Sequence, residues 1–91
     1  MNTCIRSTFK CIFEVFKARV MKDQPSWSQF VDDHQIAKVD EYKSIMLMNV
    51  SDFEAMEVFM TTDKMRAWDA EHGCKDTVYA LSLIWKKNRY N

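Results

Sequence analysis

Glycine and proline are almost missing from this chain: Gly73 and Pro25 are the only examples in 91 residues. Loops that cradle phosphates or dinucleotides need clustered glycines, so that backbone can approach the ligand closely. A single glycine supplies no such loop, and nucleotide-dependent chemistry is not expected. An excess of one charge is missing as well. Thirteen basic and thirteen acidic residues cancel, which argues against the basic footprint of a nucleic-acid binder. The one basic cluster, Lys86-Lys87-Asn88-Arg89, reads as a solvated tail. No window approaches the ~18 consecutive apolar residues of a membrane helix. Arg6, Lys10 and Glu14 interrupt the apolar residues near the N-terminus, so the block of a signal peptide is absent and a cytoplasmic protein is expected. Cysteine is sparse and odd in number. Cys4, Cys11 and Cys74 show no metal-ligand spacing, and they read as reduced, small apolar residues, with no metal and no cofactor expected.

What is present is periodicity. Residues 4–11 (CIRSTFKC) read as a first strand. Phe13, Phe16 and Val20 then recur at helical spacing on one face. Lys22-Asp23-Gln24-Pro25 interrupts, and Ser26 with Gln29 reads as a capping box for a second helical piece. On that piece Trp27, Phe30, Val31 and His34 fall at i, i+3, i+4 and i+7. A short strand over 35–39 and a turn at Asp40-Glu41 lead into SIMLMNV (44–50), apolar in nearly every position. Ser51 and Glu54 form a second predicted capping box, opening a helix with the stripe Phe53, Met56 and Met60. Thr61-Thr62-Asp63 breaks and recaps it. Met65, Trp68 and His72 line one face of a last helix, which Gly73 ends in a left-handed conformation. TVYALSLIW (77–85) reads as the final strand.

The order strand, helix, strand, strand, helix, strand places both helical regions on one face of a four-stranded antiparallel sheet. An antiparallel sheet with a wet second face shows apolar/polar alternation, and neither SIMLMNV nor TVYALSLIW does. A second copy of the chain is the simplest cover for that face, because a bare one would expose several hundred Å² of apolar surface. A homodimer through the sheet is therefore expected, with either strand parity as its interface.

With FEVFKARV opening the first helix, WSQFVDDHQI closing that region and SDFEAMEVFMTTDKMRAWDAEHG as helix, break and helix, the chain resembles the dimeric α+β barrel group. The resemblance there is to small antibiotic-biosynthesis-monooxygenase-like members and to related uncharacterised marine bacterial families. The resemblance spans almost the whole chain, residues 1–91 as a single domain with 85–91 as a tail. It implies a two-layer ferredoxin-like βαββαβ sandwich, dimerising sheet to sheet, with an apolar pocket between sheet and helices. In that group the pocket serves cofactor-independent oxygenation of quinol-like substrates, haem breakdown, lactone isomerisation or plain binding. Asn49, Trp68 and His72 supply residue types used in haem breakdown without matching its motif, so no role is carried over to them. A Cys-x-x-Cys metal-chaperone loop is absent, and Met46-Leu47-Met48 stands where an RNA-recognition sheet would carry aromatics.

The candidate ligand-facing residues are Trp27, Phe30, His34, Tyr42, Met46, Met48, Met60, Trp68, His72 and Tyr79. Each has a plainer reading. The tryptophans suit core packing, and both histidines are expected at helix C-termini, which favour a partly positive imidazole. The internal methionines Met21, Met46, Met48, Met56, Met60 and Met65 fill irregular gaps, and they also suit a flexible apolar guest. A carboxylate head group on that guest would need a donor from His34, His72, Arg6, Tyr42 or Tyr79. Asp32-Asp33 and Asp40-Glu41 read as solvated surface. The function expected first is binding of an apolar small molecule, fatty-acid-like or aromatic. The alternative is cofactor-independent oxygenation of a quinol-like ring.

Overall fold

A computed structural model describes residues 1–87. The final residues of the basic cluster, Asn88 and Arg89, lie outside the described residues. The elements are β1 (Thr3–Thr8), α1 (Phe13–Lys22), α2 (Gln24–Trp27), β2 (Val31–Asp40), β3 (Lys43–Val50), α3 (Phe53–Met60), α4 (Asp63–His72) and β4 (Lys75–Ala80). The strands form one antiparallel sheet in the order β2-β3-β1-β4, with the helices on one face. This is the expected ferredoxin-like sandwich.

Burial shows which strand parity faces the helices. On β3, Ser44, Met46, Met48 and Val50 are buried, while Lys43, Ile45, Leu47 and Asn49 between them are half-buried. Register carries the first set across to Thr3, Ile5 and Ser7 on β1, which are also buried. One core groups Ile5, Met46, Met48 and Val50 with Trp27, Phe30 and Met56. A second groups Phe9, Phe13 and Phe16, with Phe9 and Phe16 stacked at 4.3 Å. The opposite face presents Cys4 and Arg6 of β1, Ile45 and Leu47 of β3, and Thr77 and Tyr79 of β4.

Three local expectations are corrected. The stripe Trp27–His34 is not a helix: α2 is a single turn, and Val31 already belongs to β2. The eight register pairs between β2 and β3 outcompete the local stripe, because long-range ladders override propensity. His34 therefore sits on a strand and not at a helix C-terminus. Secondly, α3 is capped by Asp52, whose Oδ1 accepts from the Ala55 N–H at 3.0 Å. Ser51 makes no cap bond; its N–H donates to the Phe30 carbonyl at 2.9 Å, which ties it to the end of the sheet and takes the donor a Glu54 carboxylate would need in a capping box. Thirdly, the last strand stops at Ala80 and not at Trp85. Its partner β1 begins at Thr3, and the Leu81 N–H to the Asn2 carbonyl, 2.9 Å, is the last bond between these two segments. Residues 81–87 continue without a ladder.

In addition, Ser26 lies inside α2 and forms no capping box with Gln29, and β1 ends at Thr8 and not at Cys11; the end of the last helical region is as expected. Thr62 caps α4 by accepting from the Met65 N–H, and Gly73 ends it at φ +60°. No helix among the described residues is long and apolar enough to cross a membrane.

Candidate functional site

A cavity of about 90 Å³ lies between the sheet and its helices. Ile5 floors it from β1, Phe16, Arg19 and Val20 come from α1, and Met56, Phe59 and Met60 from α3. Met65, Trp68 and Asp69 of α4 close one end, next to Ser7, Cys74 and Asp76. The wall is apolar except for the ion-paired Arg19 and Asp23 and for this end. On the outer side, an open groove of about 460 Å³ runs between α3 and β4, lined by Phe53, Glu57, Thr61 and Val78, and it shares Met56, Met60, Asp69 and Asp76 with the cavity. The two carboxyls stand where groove and cavity meet.

The end of α4 builds this cluster. Left-handed Gly73 turns the chain so that the Cys74 N–H donates to the Asp69 carbonyl at 2.8 Å, bringing α4's last turn against the start of β4. The β1–β4 register sets Asp76 opposite Ser7, whose hydroxyl donates to Asp76 Oδ1 at 2.5 Å. The Cys74 thiol donates to the same oxygen at 3.7 Å. One ligating atom from each of Asp69, Cys74 and Asp76 lies within 4.8 Å of the others, so these three are the residues placed to share a proton or a cation.

Burial pushes the Asp69 carboxyl above its ordinary value, and the neighbouring Asp76 pushes it further, against smaller lowering contributions from the Cys74 thiol and Arg19. Burial, with Asp76 and Asp69 beside it, drives the Cys74 thiol strongly upward, so it stays a neutral donor and not a nucleophile. Arg19 is tied to Asp23 at 2.7 Å and lies 5.4 Å over the Trp68 ring.

Of the residues singled out from sequence, Trp27, Phe30, Met60 and Trp68 line the cavity. Met46 and Met48 are buried beneath it in the core. His34 packs edge-on to Trp27 at 4.9 Å, and His72 stacks on Trp68 at 4.0 Å with Nδ1 against the Trp68 carbonyl at 2.9 Å; neither histidine lines the cavity. Tyr42 is exposed at the β2–β3 turn, Tyr79 is exposed on the far face of the sheet, and Arg6 shares that face. Asp69 and Asp76 were not singled out, although both carry a signal. Asp69 falls at i+4 in the stripe Met65, Trp68, Asp69, His72, a charge inside an inward row. Asp76 shares the inward parity of β4 with Val78 and Ala80.

The sheet order and the helices on one face define a ferredoxin-like α+β fold. The crystal structure of SnoaB, a cofactor-independent oxygenase from Streptomyces nogalater, shares this fold with a TM-score of 0.66, 6% sequence identity, and coverage of 99% of this chain and 96% of that one. No protein-family model matches the chain, and no curated protein matches it in sequence.

Proposed function

We propose that the chain is a cofactor-independent oxygenase of a compact, quinol-like phenol, with Asp69 as the general base. The observation that carries this is the carboxyl pair set into the end of an apolar cavity. A pocket built only to hold an apolar guest has no use for two adjacent carboxyls at its rim, where Asp69 is half-buried and Asp76 exposed. A carboxyl with a raised proton affinity facing an apolar ring site is suited to taking a phenolic proton. The likeness to a cofactor-independent oxygenase supports the same reading.

In this scheme the ring enters by the α3–β4 groove, and its hydroxyl reaches Asp69. Loss of that proton leaves an electron-rich ring anion, which reacts with dioxygen at an unsubstituted para carbon. One oxygen atom stays on that carbon and the other leaves in water, with the hydroxyl proton and the ring hydrogen. A phenol and O₂ thereby give a para-quinone and one water, with O₂ as the oxidant. Size favours a ring over a long chain. The cavity of about 90 Å³ is below the ~150 Å³ that admits benzene, so a guest enters only as Met56, Met60 and Met65 move aside. A fatty acid demands more of that movement than one ring.

The plain binding reading rests on the same methionine-rich wall. The two separate in an oxygen-uptake assay with naphthol-type phenols whose para carbon is unsubstituted, and no added flavin, haem or metal. Uptake with quinone formation is expected, and Asp69→Asn should lower its rate by about 10²–10⁴-fold. Phenols that bind without any uptake would overturn the oxygenase and leave the binder. The proposal extends to a cytoplasmic homodimer, in which the Ile45 and Leu47 face of the sheet meets the same face of a second copy.

A further inference from the structure

In the proposed reaction phenol and dioxygen meet on one carbon, and the cavity offers them different ways in. Its carboxyl end lies at β4, where Asp76 is in register with Ser7 and, through Ser7, with Ser44 at the start of β3. Its other end lies toward the opposite border of the sheet. There Phe30 precedes β2 and stands by the end of β3, its carbonyl accepting from the Ser51 N–H. A second open groove, of about 560 Å³, reaches the cavity at this end and shares Phe30 and Phe59 with it. The two rings meet with centroids 5.8 Å apart and planes at 60°. Phe30 is buried, and Phe59 on α3 is half-buried.

Ring and gas cannot share one mouth. A cavity of about 90 Å³ is filled by a single ring. A phenol seated on Asp69 therefore closes the α3–β4 entrance behind it and leaves no space alongside. With its hydroxyl on Asp69, the ring points its para carbon at the other end, toward Phe30 and Phe59. Their rings carry no polar atom, and an apolar constriction of this kind repels water, while an apolar diatomic passes. Phe59 has room to turn, because only Met56 of the α3 residues is buried, and a partly exposed side chain changes rotamer within nanoseconds. The outer rim carries Asp52 and Glu54 beside Ser26 and Gln29, with no cation among its lining residues. A phenolate is repelled there, whereas dioxygen is indifferent to the charge.

We infer that dioxygen reaches the bound phenol through the α2–α3 groove, passing between Phe30 and Phe59 to the para carbon; the inference rests on the proposed oxygenase reading. A carbon–oxygen bond forms at that carbon. The oxygen–oxygen bond then breaks, and one oxygen leaves as water with the hydroxyl proton and the ring hydrogen. Phe59 sets the access of the gas and takes no part in the proton transfer at Asp69.

The test varies dioxygen and phenol separately in steady-state oxygen uptake by the full-length chain. Phe59→Trp fills the gate. It should lower kcat/KM for dioxygen by about fivefold or more, while kcat/KM for a naphthol-type phenol with an unsubstituted para carbon stays within about twofold. Any other pattern overturns the route, including a fall in both constants, which makes Phe59 a wall of the ring site alone. Val78→Trp narrows the α3–β4 entrance and should lower the phenol constant only; a fall in the dioxygen constant there overturns the separate route. A second measurement needs no turnover. In Trp68→Phe/Trp85→Phe the sole tryptophan is Trp27, which lines the cavity and is 6% exposed. Ala55→Phe/Val58→Phe, added to that chain, fills the outer groove without touching the cavity. Quenching of Trp27 fluorescence by dissolved dioxygen should then fall by about half or more, since a buried ring is reached only through nanosecond openings. Unchanged quenching overturns the passage. Quenching that falls as expected, with no phenol supporting uptake, keeps the passage and removes the oxygenase reading alone.

Discussion

Asp69 is the residue at which stability and the proposed chemistry pull apart. Its carboxyl titrates above the ordinary range in the folded chain, because of burial first and Asp76 second, with Cys74 beside it on the β4 side and Arg19 on the α1 side. Between the ordinary carboxylate value and the raised one, the folded chain holds more protons than the unfolded chain. The Asp69 contribution to stability therefore falls as pH rises through that window. Asp69→Asn removes the loss, so at neutral pH its Tm should exceed the wild-type Tm, and the gap should close in acid. Thermal unfolding across pH checks this; a variant less stable at neutral pH would contradict the desolvation account. Gly73 makes a different demand. At φ +60° it occupies a region that disfavours side chains, and a Cβ there would meet Lys10 Cγ and Cδ at 2.8 Å. The lysine stem can swing away, so backbone strain dominates, and Gly73→Ala should cost about 1–2 kcal/mol in urea unfolding. Because this turn sets Cys74 and Asp76 beside Asp69, the same variant should lower the proposed oxygen uptake more than its stability loss explains.

At the scale of elements, α3 is both wall and weak point. It is short, its cap is one aspartate, and only Met56 of its residues is buried. Yet Met56, Phe59 and Met60 form one side of the cavity. Asp52→Ala removes the acceptor for the Ala55 N–H, and it should destabilise the fold by about 1 kcal/mol. Hydrogen exchange should localise the loss to residues 53–60, while protection in β1 and β3 persists; a uniform loss would mean α3 does not open separately. The shift of the cap from Ser51 to Asp52 was not legible locally, since both residues are good caps followed by acidic residues. What decides is the Ser51 N–H to Phe30 carbonyl bond, between residues far apart in sequence. His34 teaches the same lesson: its spacing from Trp27 fits a helix, and pairing with Met48 across the β2–β3 ladder makes it a strand residue.

The whole molecule poses the question of what covers the far side of the sheet. Ile45 and Leu47 stay only half-buried there, beside exposed Tyr79, with no described element across them. Ile45→Asp/Leu47→Asp should dissociate the proposed dimer, whereas the same change at Met46 and Met48 should unfold the chain, since these are 7% and 4% exposed. Sedimentation equilibrium with circular dichroism distinguishes the outcomes; an Ile45→Asp/Leu47→Asp dimer of wild-type affinity would move the interface off this face.

Periodicity alone determined the sandwich. Helical spacing at Phe13, Phe16 and Val20, the apolar run of β3 and the solitary Gly73 are local signals, each read within a few residues, and together they allow few arrangements of helices over an antiparallel sheet. Tertiary structure decided the site. Ser7 and Asp76 stand 69 residues apart and meet through the β1–β4 register, and Asp69 reaches them only because α4 turns back at Gly73. Register and turn direction are set by which strands find each other, a long-range energy that no short window contains. For the same reason the sequence could mark Leu81–Trp85 as strand-like, while only the fold, ending its partner strand at Thr3, left that segment without a neighbour in its own chain.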